Sequence, residues 1–242
     1  AAMIRLFLLL LCLAWPVRAA PPVPVAAAAD LRLALPPLMR SHETQTGARF
    51  SLSFGSSGQM VQQAMNGAPF QLLLLADASH ADRLAAAVRG VERRPYALGR
   101  LALVARPGNG VTDLASLKAA ISAGRIRHLA IANPAHAPYG VAARAVLAGM
   151  GDTPPLVLGE NVAQALSFVT NGAAEVGLVA LPLARAAGGG LIVVPVSPTL
   201  HPPLVQTLVL MPGASPAARG LADRLTGPNG RAALARAGFG VP

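Results

Sequence analysis

The chain has 242 residues, 53% of them apolar and 12% charged, which is enough to bury one large core or two smaller ones and too apolar for intrinsic disorder. Its formal charge is +10, but the arginines are scattered and aromatics make up only 4%, so it lacks both a dense basic stripe and a stacking platform for nucleic acid. Its one cysteine is Cys12, so the rest of the chain can form no disulfide, thiolate metal site or cysteine nucleophile.

At the N-terminus, Arg5 precedes the apolar run LFLLLLCLAW, and Pro16-Val17-Arg18-Ala19-Ala20 follows. A basic start, a short apolar centre and small residues at Val17 and Ala19 spell a secretory signal over residues 1–19, cleaved after Ala19. The run is shorter than the roughly 20 residues a spanning helix needs, which argues against a membrane anchor. Cleavage would remove Cys12, Arg5 and Arg18 and leave a net charge of +8.

Next, PVAAAA predicts the first strand. Asp30 opens a helical pattern that runs to Gly47, with Pro36-Pro37 forcing a kink or a restart. ARFSLSF alternates as a strand, residues 57–66 are helical and end at Asn66-Gly67, and FQLLLLAD suits a strand buried on both faces. Residues 80–90 read as a helix. Strand and helix have now alternated three times, which predicts a parallel sheet with crossover helices. YALGRLALVARPG reads as one extended strand leading into a second lobe. There follow a helix over 114–123, strand HLAIAN, a helix over 140–149, strand PPLVLG, a helix over 162–171, and strands VGLVAL and GLIVVPV. LVQTLVLM reads as a return strand, and two helices split at Gly227-Pro228 close the chain. The expected architecture is α/β with two lobes, residues 20–97 plus 206–242 in the first and 98–205 in the second, each a mainly parallel sheet flanked by helices.

Four strand-to-helix turns carry the chemistry. Backbone N–H groups at a helix N-terminus have no intrahelical partner and carry partial positive charge, so such turns hold anions without a formal cation. The turns are Ala28-Ala29-Asp30-Leu31, Gly55-Ser56-Ser57-Gly58, the segment Asn133 to Gly140, and Gly159-Glu160-Asn161-Val162. Each also has an ordinary structural reading: Ser57 as a helix cap, Tyr139 as packing, Asp30 as a cap for its own helix. Pointed into a cleft, Asp30 would repel an anion. Together the four fall at equivalent ends of parallel strands, where open α/β sheets bind ligands.

Enzyme signatures are missing. Gln59 stands where a G-x-S-x-G elbow needs its last glycine, and Gly188-Gly189-Gly190 precedes a strand instead of following one. The five histidines show no pair at helical ligand spacing. No catalytic residue, cofactor or metal cation is expected, and no Ser–His or His–carboxylate pair is visible in the sequence. His136 reads as a donor beside the cleft or as an exposed loop residue.

AAAADL, FGSSG with NGAPFQLLLLAD, ANPAHAPYG, GENVAQAL, AEVGLVAL and LTGPNGRAALARAGF, in that order over nearly all of the exported chain, resemble the periplasmic molybdate-binding proteins of ABC transporters (the ModA family). The resemblance implies a type II periplasmic-binding fold, with molybdate or tungstate held between the lobes. It implies a monomer that hands this oxyanion to the membrane subunits of an ABC permease. Carried over by position, it implies a hydroxyl ligand at Ser57 with Ser56 beside it, main-chain contacts from Tyr139 and Val162, and Ala29 and Asp30 in the first turn. Ala180 sits where some members place a tyrosine. Ala29 stands where the family usually has serine, which removes a hydroxyl donor; Gln71 and Leu75 replace an acid and a hydroxyl.

Overall fold

The computed structural model describes residues 21–151 and 153–242; the predicted signal and Cys12 lie outside the described residues. The first sheet contains β1 (Val23–Ala28), β2 (Phe50–Gly55), β3 (Leu72–Leu75), β4 (Glu92–Leu98) and β10 (Val205–Leu210), in the order β2-β1-β3-β10-β4. β1 pairs in parallel with β2 and β3, and β10 runs antiparallel to β3 and β4. The second sheet contains β5 (Leu101–Ala105), β6 (Leu129–Ala132), β7 (Leu156–Gly159), β8 (Val176–Ala180) and β9 (Ile192–Pro195), in the order β7-β6-β8-β5-β9. There β6 is parallel to β7 and β8, while β5 is antiparallel to β8 and β9. In each sheet one strand runs against the other four, so both are mainly parallel, as expected.

β3 shows why the run of four leucines had to be a strand buried on both faces. Successive side chains of a strand point to opposite sides. Leu72 and Leu74 pack with Leu31, Leu35, Leu221 and Leu225, while Leu73 and Leu75 pack with Met60, Val61 and Leu84. Each buried leucine contributes about 1.5–3 kcal/mol over exposure. The helices supplying these layers are α1 (Leu35–Thr46), α2 (Ser57–Met65), α3 (Ala78–Ala87), α8 (Pro216–Thr226) and α9 (Pro228–Ala237). α4 (Leu114–Ser122), α5 (Pro138–Ala148), α6 (Val162–Thr170) and α7 (Leu181–Ala187) belong to the second lobe. No described helix is long and apolar enough to cross a membrane.

Three local readings are settled by the structure. Of the kink or restart expected at Pro36-Pro37, the restart is what forms: a 3-10 turn covers Ala29–Leu31 and α1 starts afresh at Leu35, because Pro36 and Pro37 fit only a first turn, where a missing N–H leaves no gap. The extended segment YALGRLALVARPG is two strands in two sheets, β4 and β5, broken at Gly99-Arg100. Gly99 donates its N–H to the Leu204 carbonyl at 2.7 Å, so the two crossings between lobes lie side by side. A Cβ at Gly99 would come within 2.8 Å of Leu204 and of the Tyr139 hydroxyl. The third concerns α7. β8 ends at Ala180, one residue short of the expected strand VGLVAL, and a seven-residue helix that the sequence does not announce follows at once, because it is too short to show a period.

Candidate functional site: an interlobe cleft lined by helix N-termini

The carboxyl ends of β1, β2, β6 and β7 deliver their four turns to one place. The cleft there is small, about 210 Å³ of atom-free space with its opening to solvent included, and is lined by Ala28, Ala29, Asp30, Gly55, Ser56, Ser57, Ala76, Ala137, Pro138, Tyr139, Asn161 and Val162. Six of the seven candidate residues line it; Ala180 does not. Ala180 is fully buried in register with Leu101 and begins α7, so its side chain is a packing element of the second sheet.

The backbone donors can be followed one by one. At α2, the Gly58 N–H goes to the His136 carbonyl at 2.9 Å, the Gln59 N–H to Ser56 Oγ at 3.4 Å and the Met60 N–H to the Ser56 carbonyl at 3.1 Å. This leaves the Ser57 N–H. At α5, Pro138 has no N–H, and Gly140 and Val141 both donate to the Ala137 carbonyl, which leaves Tyr139. At α6, Asn161 Oδ1 accepts from Ala163 and Gln164, both at 3.1 Å, and its carbonyl accepts from Ala165. This leaves Val162. In these three turns one amide each, from Ser57 in the first lobe and from Tyr139 and Val162 in the second, has no partner among the described residues, and there the helix dipoles add partial positive charge.

The two serines divide their work. Ser56, not Ser57, is the cap of α2. Ser57 Oγ accepts the Ala76 N–H at 2.9 Å; this pins the hydroxyl against the end of β3 while its own proton stays available to a guest. Among the described residues, no Arg, Lys or His side chain lines the cleft.

Asp30 does not cap its helix. The residue at the cap position of the 3-10 turn is Ala28, and no side-chain cap bond forms. Instead the carboxylate is 1% exposed and takes part in a buried polar cluster. Gln206 Nε2 donates to Asp30 Oδ2 and, at 3.3 Å, to the Tyr139 hydroxyl; Tyr96 donates its hydroxyl to Gln206 Oε1 at 2.6 Å. Asp30 Oδ1 is buried with no partner. Burial pushes this carboxyl up to about 6, against opposing bonds from Gln206, Tyr139 and the backbone of Asp30 and Leu31. Burial first, and Asp30 second, hold both tyrosine hydroxyls protonated well above their ordinary range. Gln206 was not foreseen from the sequence. Its signal was there: a lone amide in the apolar return strand LVQTLVLM, at a position fully buried in the fold.

A second set of contacts closes the mouth. Ser56 Oγ lies 2.9 Å from His136 Nδ1, His136 Nε2 lies 3.7 Å from Glu160 Oε2, and Gln59 Nε2 donates to Glu160 Oε2 at 2.8 Å. By residue type this is a serine–histidine–carboxylate series, which the sequence did not reveal because its members come from three separate turns. Its geometry is poor for nucleophilic catalysis. Ser56 Oγ is already an acceptor for its own helix, and the Glu160 side chain, 64% exposed, stands beyond hydrogen-bond reach of the imidazole. All three links join turns of different lobes or turns within the second lobe, so they act as a clasp across the closed cleft.

Comparison with known proteins agrees with this architecture. The profile of the bacterial extracellular solute-binding proteins matches residues 23–240. The chain is 37% identical to the molybdate-binding protein ModA of Azotobacter vinelandii over 233 residues, 90% of each chain, and 37% identical to that of Rhodobacter capsulatus over 175 residues, 69% of this chain and 67% of that one. The solved periplasmic molybdate-binding protein of Azotobacter vinelandii superposes with a TM-score of 0.79 at 30% identity, covering 91% of this chain and 99% of that one. A two-sheet α/β fold, uncommitted donors at its interlobe cleft and these likenesses lead to one assignment: the chain belongs to the bacterial extracellular solute-binding protein family, among the ModA proteins.

Proposed function

We propose that this protein captures a tetrahedral oxyanion, molybdate or tungstate, in the interlobe cleft and presents it in the periplasm to the membrane subunits of an ABC permease. The observation that carries this reading is the convergence of the Ser57, Tyr139 and Val162 amides and the Ser57 hydroxyl on one cation-free space. A dianion entering it loses its hydration, and several fixed donors, each contributing about 1.5–3 kcal/mol to a charged acceptor, offset that loss. Donors fixed on two lobes also discriminate by size, which favours molybdate and tungstate over the smaller sulfate. The names borne by the Azotobacter and Rhodobacter relatives point the same way. Binding and release complete the task, with no catalytic step, and the chain works as a monomer.

Calorimetric titration with molybdate, tungstate, sulfate and phosphate tests this. Binding of the first two and silence toward the others is expected. Ser57→Ala removes one hydroxyl donor and should weaken molybdate binding by about 10- to 150-fold, the equivalent of about 1.5–3 kcal/mol. No heat with any of the four anions would refute the reading. The Ser56–His136 contact is the one observation favouring a hydrolase instead; ester turnover that is lost in both Ser56→Ala and His136→Ala would establish it.

A further inference from the structure

Asp30 presents a difficulty for a site built to hold a dianion. It lines the same cleft as the three free amides, no cationic side chain lines that cleft, and one of its carboxylate oxygens is buried without a partner. An ionised Asp30 beside a doubly charged guest would place three negative charges in one desolvated space, and like charges in contact disfavour joint ionisation. Among the described residues no cation pairs with Asp30: Arg32, at the end of the same turn, lies over the Phe54 ring. β10 offers the neutral Gln206, β4 and α5 offer the hydroxyls of Tyr96 and Tyr139, and α6 carries no ionisable side chain. Arg185 of α7 and Arg236 of α9 line a separate space on the other side of Asp30 and make no ion pair with it.

We propose that the cleft takes its doubly charged guest together with one proton, seated on Asp30, so that oxyanion capture is proton-coupled in this protein. The inference rests on the oxyanion reading above and adds to it the protonation state of the occupied site. With the lobes apart, Asp30 meets water and ionises as an ordinary aspartate. Closure brings Tyr139 from the second lobe against the Asp30–Gln206 pair and removes that water, and the guest adds its own field. Both changes favour the neutral acid.

The sign follows from linkage. A carboxyl whose pKa is raised on closure binds a proton as the complex forms, so affinity is highest at low pH and falls as pH rises through the interval from 3.8 to about 6, or higher with the guest present. The slope within that interval approaches ten-fold per pH unit.

The test is calorimetric titration of the intact protein with molybdate near pH 6 in two buffers of unlike protonation enthalpy. The difference between the two apparent heats gives the protons taken up per anion bound. With the open-form carboxyl at 3.8 and the closed-form carboxyl at about 6, uptake of about half a proton is expected at this pH, and more where the guest raises the carboxyl further. Asp30→Asn keeps an oxygen for Gln206 and removes the charge; it should show no uptake and should bind molybdate about 10- to 100-fold tighter than the native protein near pH 8, from the roughly two-unit rise of the native carboxyl. Molybdate binding without proton uptake in the native protein would overturn the proposal, and because that measurement needs no variant it holds even if Asp30→Asn folds poorly. A folded Asp30→Asn that binds more weakly, or keeps the native pH slope, would overturn it too. If the native protein binds no anion at all, the oxyanion reading itself fails, an outcome distinct from binding without uptake.

Discussion

Gly58 shows how much one residue can decide at the lobe junction. Its N–H bonds the His136 carbonyl, and a Cβ added there would stand 2.8 Å from that oxygen and 2.9 Å from His136 Cβ. The obstacle is backbone of the opposite lobe, so the closed form could not accept it without moving apart. Within its own helix, alanine is favoured over glycine by up to about 1 kcal/mol. Gly58→Ala should therefore leave the melting temperature of the free protein unchanged or slightly higher while weakening molybdate binding at least about ten-fold, by calorimetry. An unchanged affinity would mean that the two turns do not meet in the bound form. The sequence marked Gly55-Ser56-Ser57-Gly58 as an anion turn, but the different duties of its residues depend on partners 19 and 80 positions away: Ala76 for the Ser57 hydroxyl, His136 for Ser56. Local propensity carries no information about such partners.

At the scale of elements, the helix N-termini are as much the functional parts as any side chain. Asn161 organises α6 by taking two amide protons, and so leaves the Val162 N–H as the one facing the cleft. Asn161→Ala should cost about 0.5–2 kcal/mol of stability, roughly 1–8 °C in melting temperature for a chain of this size, and should weaken anion binding because the first turn of α6 loses its fixed geometry. A melting curve and a titration on the same sample would separate these effects. Strands with a clear apolar run, such as β3, and helices with clean ends, such as α6, were legible in the sequence because burial and capping act over a few residues. α7 was not, because seven residues make too few turns to set a period. The break between β4 and β5 was not, because both flanks are equally apolar and only the change of sheet separates them.

For the whole molecule, the two lobes meet around the cleft and are joined at paired crossings near Gly99 and Leu204. A ligand that binds only the closed, folded form stabilises it by mass action, about 2.7 kcal/mol at one hundred times its dissociation constant. Molybdate at that excess should raise the melting temperature by roughly 5–11 °C, with sulfate giving no shift. An equal shift with both anions would indicate general ionic stabilisation and not capture between lobes.

The sequence by itself determined the α/β class, most of the succession of strands and helices, and the positions of the four strand-to-helix turns that line the cleft, because hydrophobic period, proline placement and N-terminal amides are properties of short segments. Only the tertiary structure decided that Asp30 enters a buried cluster with Gln206 and Tyr139 instead of capping its turn, that Ala180 stays out of the cleft, and that Ser56, His136 and Glu160 form a clasp. Those outcomes depend on which distant segments share a space once two sheets have folded and closed, and burial, charge and hydrogen-bond partnership are set by that space.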